Sequence, residues 1–272
     1  MPEMSKNTES TVPDPVMVSE VISRPSISKA EIEKQASQSI ALIPWDPDST
    51  AHVERLRLQR IACGWKIAKV DEWKDLQQSG KIGMHWIALT PSHLETSSRL
   101  QKHIKAFPDE STPLADTCRV VLSRPHTPDP QFDKFIPIGH ISLDVVTTFP
   151  ELRASAADGV YSINSFYISR SLQRGGLGAA AMVACERIAR TVFRAKTITL
   201  STISNDEMYH ENPRRVAMGL TEIPKPTNQD WYTKRGYTIY GHRLNAYHEI
   251  DPTGKRWGIK CVFMSKELEP VD

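Results

Sequence analysis

The chain has 272 residues, 39% of them hydrophobic and 24% charged, with glycine and proline at ordinary levels. That composition predicts a soluble globular protein and argues against disordered, fibrous and membrane-spanning classes. With 34 Lys and Arg against 32 Asp and Glu, the formal charge of +2 is too balanced for a dedicated nucleic-acid binder or a membrane-surface protein.

Residues 1–37 are polar, rich in Ser, Pro and Glu and without periodicity, so they are expected to form a flexible leader. Its first ten residues, MPEMSKNTES, have no basic segment followed by an apolar one, and no run of about eighteen apolar residues occurs. A cytoplasmic location is the expectation, with nuclear entry left open. No linker divides residues 38–272, which are read as a single domain with insertions near 91–117 and 204–226. The four cysteines, Cys63, Cys118, Cys185 and Cys261, lack the paired spacing of zinc or redox motifs, so no metal is expected and the thiols are read as reduced core residues.

SIALIPWD (39–46) suits a first strand, stopped by Pro44. Asp48 or Ser49 can cap TAHVERLRLQRIACGW, where Val53, Leu56, Leu58, Ile61 and Ala62 form a stripe closed by Gly64. On this helix Arg55, Arg57 and Arg60 are expected to form a solvated face. A short helix in KVDEWKDLQQSG and a strand in MHWIALT follow, then a polar surface excursion over 91–117, after which TCRVVLSR is expected to resume the sheet. Trp45, Trp65, Trp73 and Trp86 are read as core rather than as an acceptor pocket.

In IGHISLDVV, Ile141, Leu143 and Val145 alternate with His140, Ser142 and Asp144, predicting an antiparallel-type strand with one buried and one polar face. VYSINSFYIS reads as the next strand. The segment SLQRGGLGAAAM then leads into a helix reaching about Phe193, where Glu186 and Arg190 are spaced as an i,i+4 pair. A strand, TITLST, comes next. Residues 204–226 carry too many breakers for one regular element. NQDWYTKRG predicts a short helix, and YTIYGHRL and KCVFMSK predict strands joined through DPTG. Mixed strands and helices around one sheet define an α/β or α+β domain.

Gly175, Gly176 and Gly178 let the backbone approach a ligand closely, and the helix beginning there directs free N–H groups and its positive end at that ligand. A phosphate is the natural guest, a tight structural turn the alternative. Ala179 and Ala180 stand where a P-loop needs Lys and Ser or Thr, and the Rossmann spacing fails too.

The run YISRSLQRGGLGAAAM resembles the strand, loop and helix of the GNAT family of acyl-CoA-dependent N-acetyltransferases. Ile168 precedes the Q/R-x-x-G-x-G/A pattern carried by Gln173, Arg174, Gly175, Gly176, Leu177 and Gly178 at the family's interval. Some fifty residues on, WYTKRGY looks like the family's Y-x-x-x-G-F/Y segment, with Tyr232, Gly236 and Tyr237 in place. The resemblance implies a central, mostly antiparallel sheet splayed at its middle and flanked by helices. It also implies acetyl-CoA as acyl donor, with its pyrophosphate on the loop from Arg174 to Ala179 and its pantetheine along Phe166, Tyr167 and Ile168.

By the same resemblance, a backbone N–H at Ile168 polarises the thioester carbonyl and Tyr232 protonates the leaving thiolate. Asn228 either contacts pantetheine or caps its helix. No motif fixes the general base; His140, Asp144 and Glu211 beside His210 are the candidates. Transfer is expected to be direct, because no Ser or Cys motif suggests a covalent intermediate. The expected acceptor is a small-molecule amine, with a protein N-terminus or lysine as the alternative and a non-catalytic CoA-binding module as the rival from another class. Nothing in the final strands requires a dimer.

Overall fold

The computed structural model describes residues 39–270, so the expected leader lies outside the described residues. Its main sheet runs in the order β1 (Ile40–Pro44), β2 (Ile82–Leu89), β5 (Pro137–Asp144), β6 (Val160–Ile163), β8 (Thr197–Ile203), β10 (Arg256–Glu267), β9 (Thr238–Ile250), and β7 (Tyr167–Ile168) pairs only with β5. Every pairing is antiparallel except β6 with β8. This is the mixed, mostly antiparallel α/β architecture expected from the sequence.

Helices cover both faces. Between β1 and β2 lie α1 (Thr50–Cys63) and α2 (Val70–Gln78); Ser49 caps α1 and Gly64 ends it in the left-handed conformation, as the sequence predicts. Their apolar residues Val53, Leu56, Val70 and Trp73 pack with Trp45, Met84 and Trp86 of the sheet. On the other face, α4 (Leu177–Thr191) sets Ala180, Ala181, Ala184 and Cys185 against Ile141, Leu143, Ile198 and Leu200. Small side chains let this helix lie close to β5 and β8, the two strands that flank β6.

Several local expectations are corrected. The excursion over 91–117 contains a helix, α3 (Thr96–Ala106), held by the buried His103. The segment TCRVVLSR does not rejoin the sheet: β3 (Val120–Val121) pairs with β4 (Arg124–Pro125) in a separate hairpin. Ile61 of the predicted α1 stripe is 60% exposed, whereas Arg55 and Arg60 are buried and only Arg57 meets surface carboxylates, those of Glu54 and Asp71. Glu186 turns from Arg190 to the Tyr237 hydroxyl and the Lys266 ammonium. Trp45, Trp73 and Trp86 are core, but Trp65 is 37% exposed on the α1–α2 connection. The long loop after β8 holds a 3-10 turn (Asn205–Glu207) and one short α-helix, α5 (Pro213–Ala217), before α6 (Asn228–Thr233).

Candidate active site

The predicted strand VYSINSFYIS is broken. β5 pairs Leu143 with Ile163 and Asp144 with Ser162, then pairs His140 with Tyr167 and Gly139 with Ile168. Between these registers Ile141 and Ser142 face Asn164, Ser165 and Phe166, one residue more, so the strand bulges. Ser142 pins the bulge: its carbonyl accepts from Asn164 N–H at 3.3 Å and its hydroxyl from Ser165 N–H at 3.0 Å. Gly139 is required opposite the far side, because a Cβ there would stand 2.1 Å from the Tyr167 carbonyl oxygen.

The bulge ends the parallel pairing. β8 follows β6 only as far as Leu200 opposite Ile163, while its next residues pair with β10 alone. β7 therefore stays on β5, and the sheet opens between β7 and the second half of β8. The splay implied by the family resemblance is present at the expected strand.

The loop leaving β7 is tied back to it, since the Gln173 amide donates to the Ile168 carbonyl at 3.1 Å. Gln173, Arg174, Gly175 and Gly176 are exposed, and Leu177 turns inward as the first residue of α4. Arg174 and Gly176 have φ of +67° and +79°. At Gly176 no atom lies within 4 Å of a built Cβ, so glycine is set there by backbone conformation rather than by crowding. No side chain caps α4, and Ala180 N–H is the first to return, to Gly176 O at 3.1 Å. The preceding first-turn amides of α4, including those of Gly178 and Ala179, have no intrahelical acceptor. Such a set of backbone donors beside Arg174 suits a diphosphate.

α6 is capped by Thr227, whose hydroxyl accepts from Asp230 N–H at 3.1 Å; Asn228 is its exposed first residue and not the cap. The asparagine that joins β8 to α6 is Asn205, which donates to Asp230 and accepts from the Thr227 hydroxyl. Trp231 lies against Phe166 with ring centroids 6.2 Å apart and would touch a Cβ on Gly178 at 3.5 Å. Tyr232 packs at 5.0 Å from Trp231 and 5.8 Å from Tyr237. Burial pushes its hydroxyl up, with the Tyr247 phenol as the next cause. The Tyr247 hydroxyl in turn lies 2.7 Å from Ser201 Oγ of β8. The structure thus brings Phe166, Gly178 and Tyr232 together around the split and adds Tyr247 and Ser201. The sequence offered no motif for these two.

On the α1 side, the face of β5 expected to be polar is polar and is also buried throughout. His140 accepts at Nε2 from Arg60 at 3.1 Å and gives its Nδ1 proton to Gln59 Oε1 at 2.8 Å; burial and then the Arg60 charge hold it well below the ordinary histidine range. With both nitrogens engaged, it has no lone pair left to act as a base. His210 and Glu211 are exposed in the loop before α5. Asp144 is 5% exposed and receives the Asn164 amide at 2.8 Å on Oδ2. Burial pushes its carboxyl up to about 7, against the opposing pull of Asn164, Ser142 and the Lys66 ammonium. Lys66 and Trp65 belong to the α1–α2 connection, where Arg60 donates twice to the Trp65 carbonyl and Arg170 donates to the Cys63 carbonyl at 3.2 Å. The Trp65 ring meets Tyr247 at 6.1 Å, and Tyr247 meets Phe149 at 5.7 Å.

No family model and no curated protein matches the chain in sequence. Comparison with solved structures gives likenesses at TM-scores below 0.5. An aminoglycoside 6'-N-acetyltransferase complexed with coenzyme A is 14% identical, at a TM-score of 0.44, over 86% of this chain and 98% of its own. A spermidine/spermine N-acetyltransferase, SpeG from Vibrio cholerae, is 11% identical at 0.44, over 85% and 94%. NAA60 from Arabidopsis thaliana, solved with a bisubstrate analogue, is 11% identical at 0.45, over 85% and 100%. Among the described residues, no helix is long and apolar enough to cross a membrane.

Proposed function

We propose that the protein is an acetyl-CoA-dependent N-acetyltransferase that moves the acetyl group directly to an amine, with a small-molecule amine as acceptor. The observation that carries this reading is the conjunction of the bulge at Asn164–Phe166, which opens the sheet, with the uncapped glycine loop that starts α4 at one side of the opening. A thioester substrate needs both: a diphosphate cradle of backbone amides, and a slot beside a strand edge for its extended arm. In this reading Gln173, Arg174, Gly175, Gly176, Leu177, Gly178 and Ala179 hold the pyrophosphate, Phe166, Tyr167 and Ile168 flank the pantetheine, and Asn228 contacts it from the start of α6.

The chemistry requires a neutral amine, a donor to the carbonyl oxygen as it becomes an oxyanion, and a proton for the departing thiolate. Backbone N–H at Ile168 is assigned the second task. Tyr232 is assigned the third; its raised hydroxyl stays protonated over the working range, so a proton is always available for a thiolate of pKa about 8.5. Replacing Tyr232 with Phe is expected to lower turnover on the order of ten- to a thousand-fold, with acetyl-CoA affinity nearly unchanged.

The test mixes the full chain with acetyl-CoA and a panel of aminoglycosides, polyamines, amino acids and short peptides, following free thiol release. Acceptor-dependent release with the small amines supports the reading; release with peptides alone moves the acceptor class to protein. CoA binding without release from any member of the panel would leave only a binding module.

A further inference from the structure

We infer that Asp144 is the proton acceptor of the reaction, taking a proton from the acceptor ammonium at its Oδ1. The inference rests on the acyltransferase reading of the split sheet and assigns the one chemical task which that reading leaves without a residue.

Asp144 is the last residue of β5 and pairs with Ser162, just before the bulge that opens the sheet. Its Oδ2 is engaged by Asn164, the first bulged residue, while its Oδ1 is buried with no hydrogen-bond partner. A buried carboxyl oxygen without a donor is costly, and native structures seldom keep one without a use. Ser142, two residues back on the same strand, also favours the carboxylate, but no donor stands within hydrogen-bond distance of Oδ1, which lies next to the strand edge where the thioester is expected. His140, the other ionisable candidate of this strand, has both ring nitrogens committed.

The charged and titratable groups facing Asp144 are Lys66 from the α1–α2 connection and Cys185 from α4. Burial pushes the Cys185 thiol up and keeps it neutral, so Lys66 supplies the only full charge of the two. Lys66 favours the carboxylate, burial favours the acid, and the balance near neutrality suits a group that must accept a proton and then release it.

The proton balance is complete. One of the three ammonium protons passes to Asp144; the neutral amine forms a C–N bond to the thioester carbonyl carbon as its C=O becomes an oxyanion. Collapse breaks the C–S bond; the thiolate takes the Tyr232 hydroxyl proton, and the second proton lost by the nitrogen restores the phenol. The third proton stays on the amide, and Asp144 returns its own to solvent.

The test is the pH dependence of kcat/KM between pH 5.5 and 9.5 for the full chain, with acetyl-CoA and two acceptors of different amine pKa taken from the panel. An acidic limb fixed in position for both amines, lost in Asp144→Asn and regained in Asp144→Glu, is the expected result. Turnover in Asp144→Asn should fall about 10²- to 10⁴-fold with CoA affinity within about twofold. A limb that moves with the amine pKa in the unsubstituted protein overturns the inference without any variant, which covers the case of an Asp144→Asn chain that does not fold. Turnover within threefold in Asp144→Asn, or a lowered rate with the limb retained, overturns it as well. No thiol release from any acceptor removes the acyltransferase reading itself, and the inference falls with it.

Discussion

At the scale of single residues, the Asp144 carboxyl sets stability against chemistry. Its folded value of about 7 lies above the ordinary 3.8, so the native state holds the proton to higher pH than the unfolded chain does. The stability this contributes is fully present below about pH 4 and is lost as pH rises through about 7. Asn at this position keeps the shape and never ionises. Asp144→Asn should therefore gain stability relative to the parent as pH rises, by up to about 4 kcal/mol at pH 9 from a displacement of roughly three pH units. Urea midpoints at pH 5 and pH 9 measure it, and a gain that does not grow with pH contradicts the burial argument.

Two glycines of the loop make a paired contrast. Gly176→Ala places a side chain at φ +79° and should cost about 1 kcal/mol while weakening CoA binding. Gly178 sits inside the first turn of α4, where an added methyl meets Trp231 at an ordinary 3.5 Å. Gly178→Ala should be neutral or gain up to about 1 kcal/mol in thermal melts.

At the scale of elements, the site depends on how β7 lies on β5. Gly139→Ala would drive a methyl into the Tyr167 carbonyl at 2.1 Å, so strand or bulge must shift. Expected are a loss of about 1–3 kcal/mol and faster amide exchange at Tyr167–Ser169, with CoA binding weakened because the Gln173 tie to Ile168 moves too. Exchange unchanged from the parent would show that β7 is not seated by this contact.

What was legible in the sequence was local. Gly176 announces its own turn, Ser49 and Gly64 bracket α1, and Asp251 starts the hairpin turn by accepting from Thr253 and Lys255 N–H. What was missed depends on distant partners. Arg60 reads as a surface residue of a helix, yet it and the neighbouring Gln59 are buried because His140 on β5, some eighty positions away, completes their hydrogen bonds. α3 shows little apolar stripe, since its anchor is His103, whose Nδ1 pairs with Ser169 Oγ at 2.9 Å. The bulge was invisible for a similar reason: only the register against Ser142 reveals the extra residue.

At the scale of the whole molecule, a polar seam crosses the interior between the two halves of the site. Arg60 holds the Trp65 carbonyl at one end and His140 behind it; Gln59 joins His140 to Glu110, with 2.9 Å from its Nε2 to Glu110 Oε2. The His103 ring follows, 3.5 Å from the Glu110 carboxyl, and leads to Ser169 and Ser171 just ahead of the glycine loop. Arg60→Met removes the donor that fixes both Trp65 and His140, and loss of one member of a buried polar set typically costs about 1–3 kcal/mol. Urea midpoints of the variant against the parent measure this loss, and unchanged midpoints would show that the seam does not depend on the arginine.

The same seam has only one sense. Arginine can only donate, so the Nε2 of His140 must accept, its Nδ1 must carry the proton, Gln59 must present its oxygen to the ring, and its amide must point at Glu110. An amide link cannot hand a proton on, so this part of the interior behaves as an insulator between the Trp65 loop and the Ser169 end. The His140 ring should therefore report a single tautomer with ¹⁵N shifts flat from pH 5 to pH 9. Its Nδ1 proton should exchange orders of magnitude more slowly than that of a solvated imidazole, and protons of the reaction must leave through the open side of the split rather than through the core.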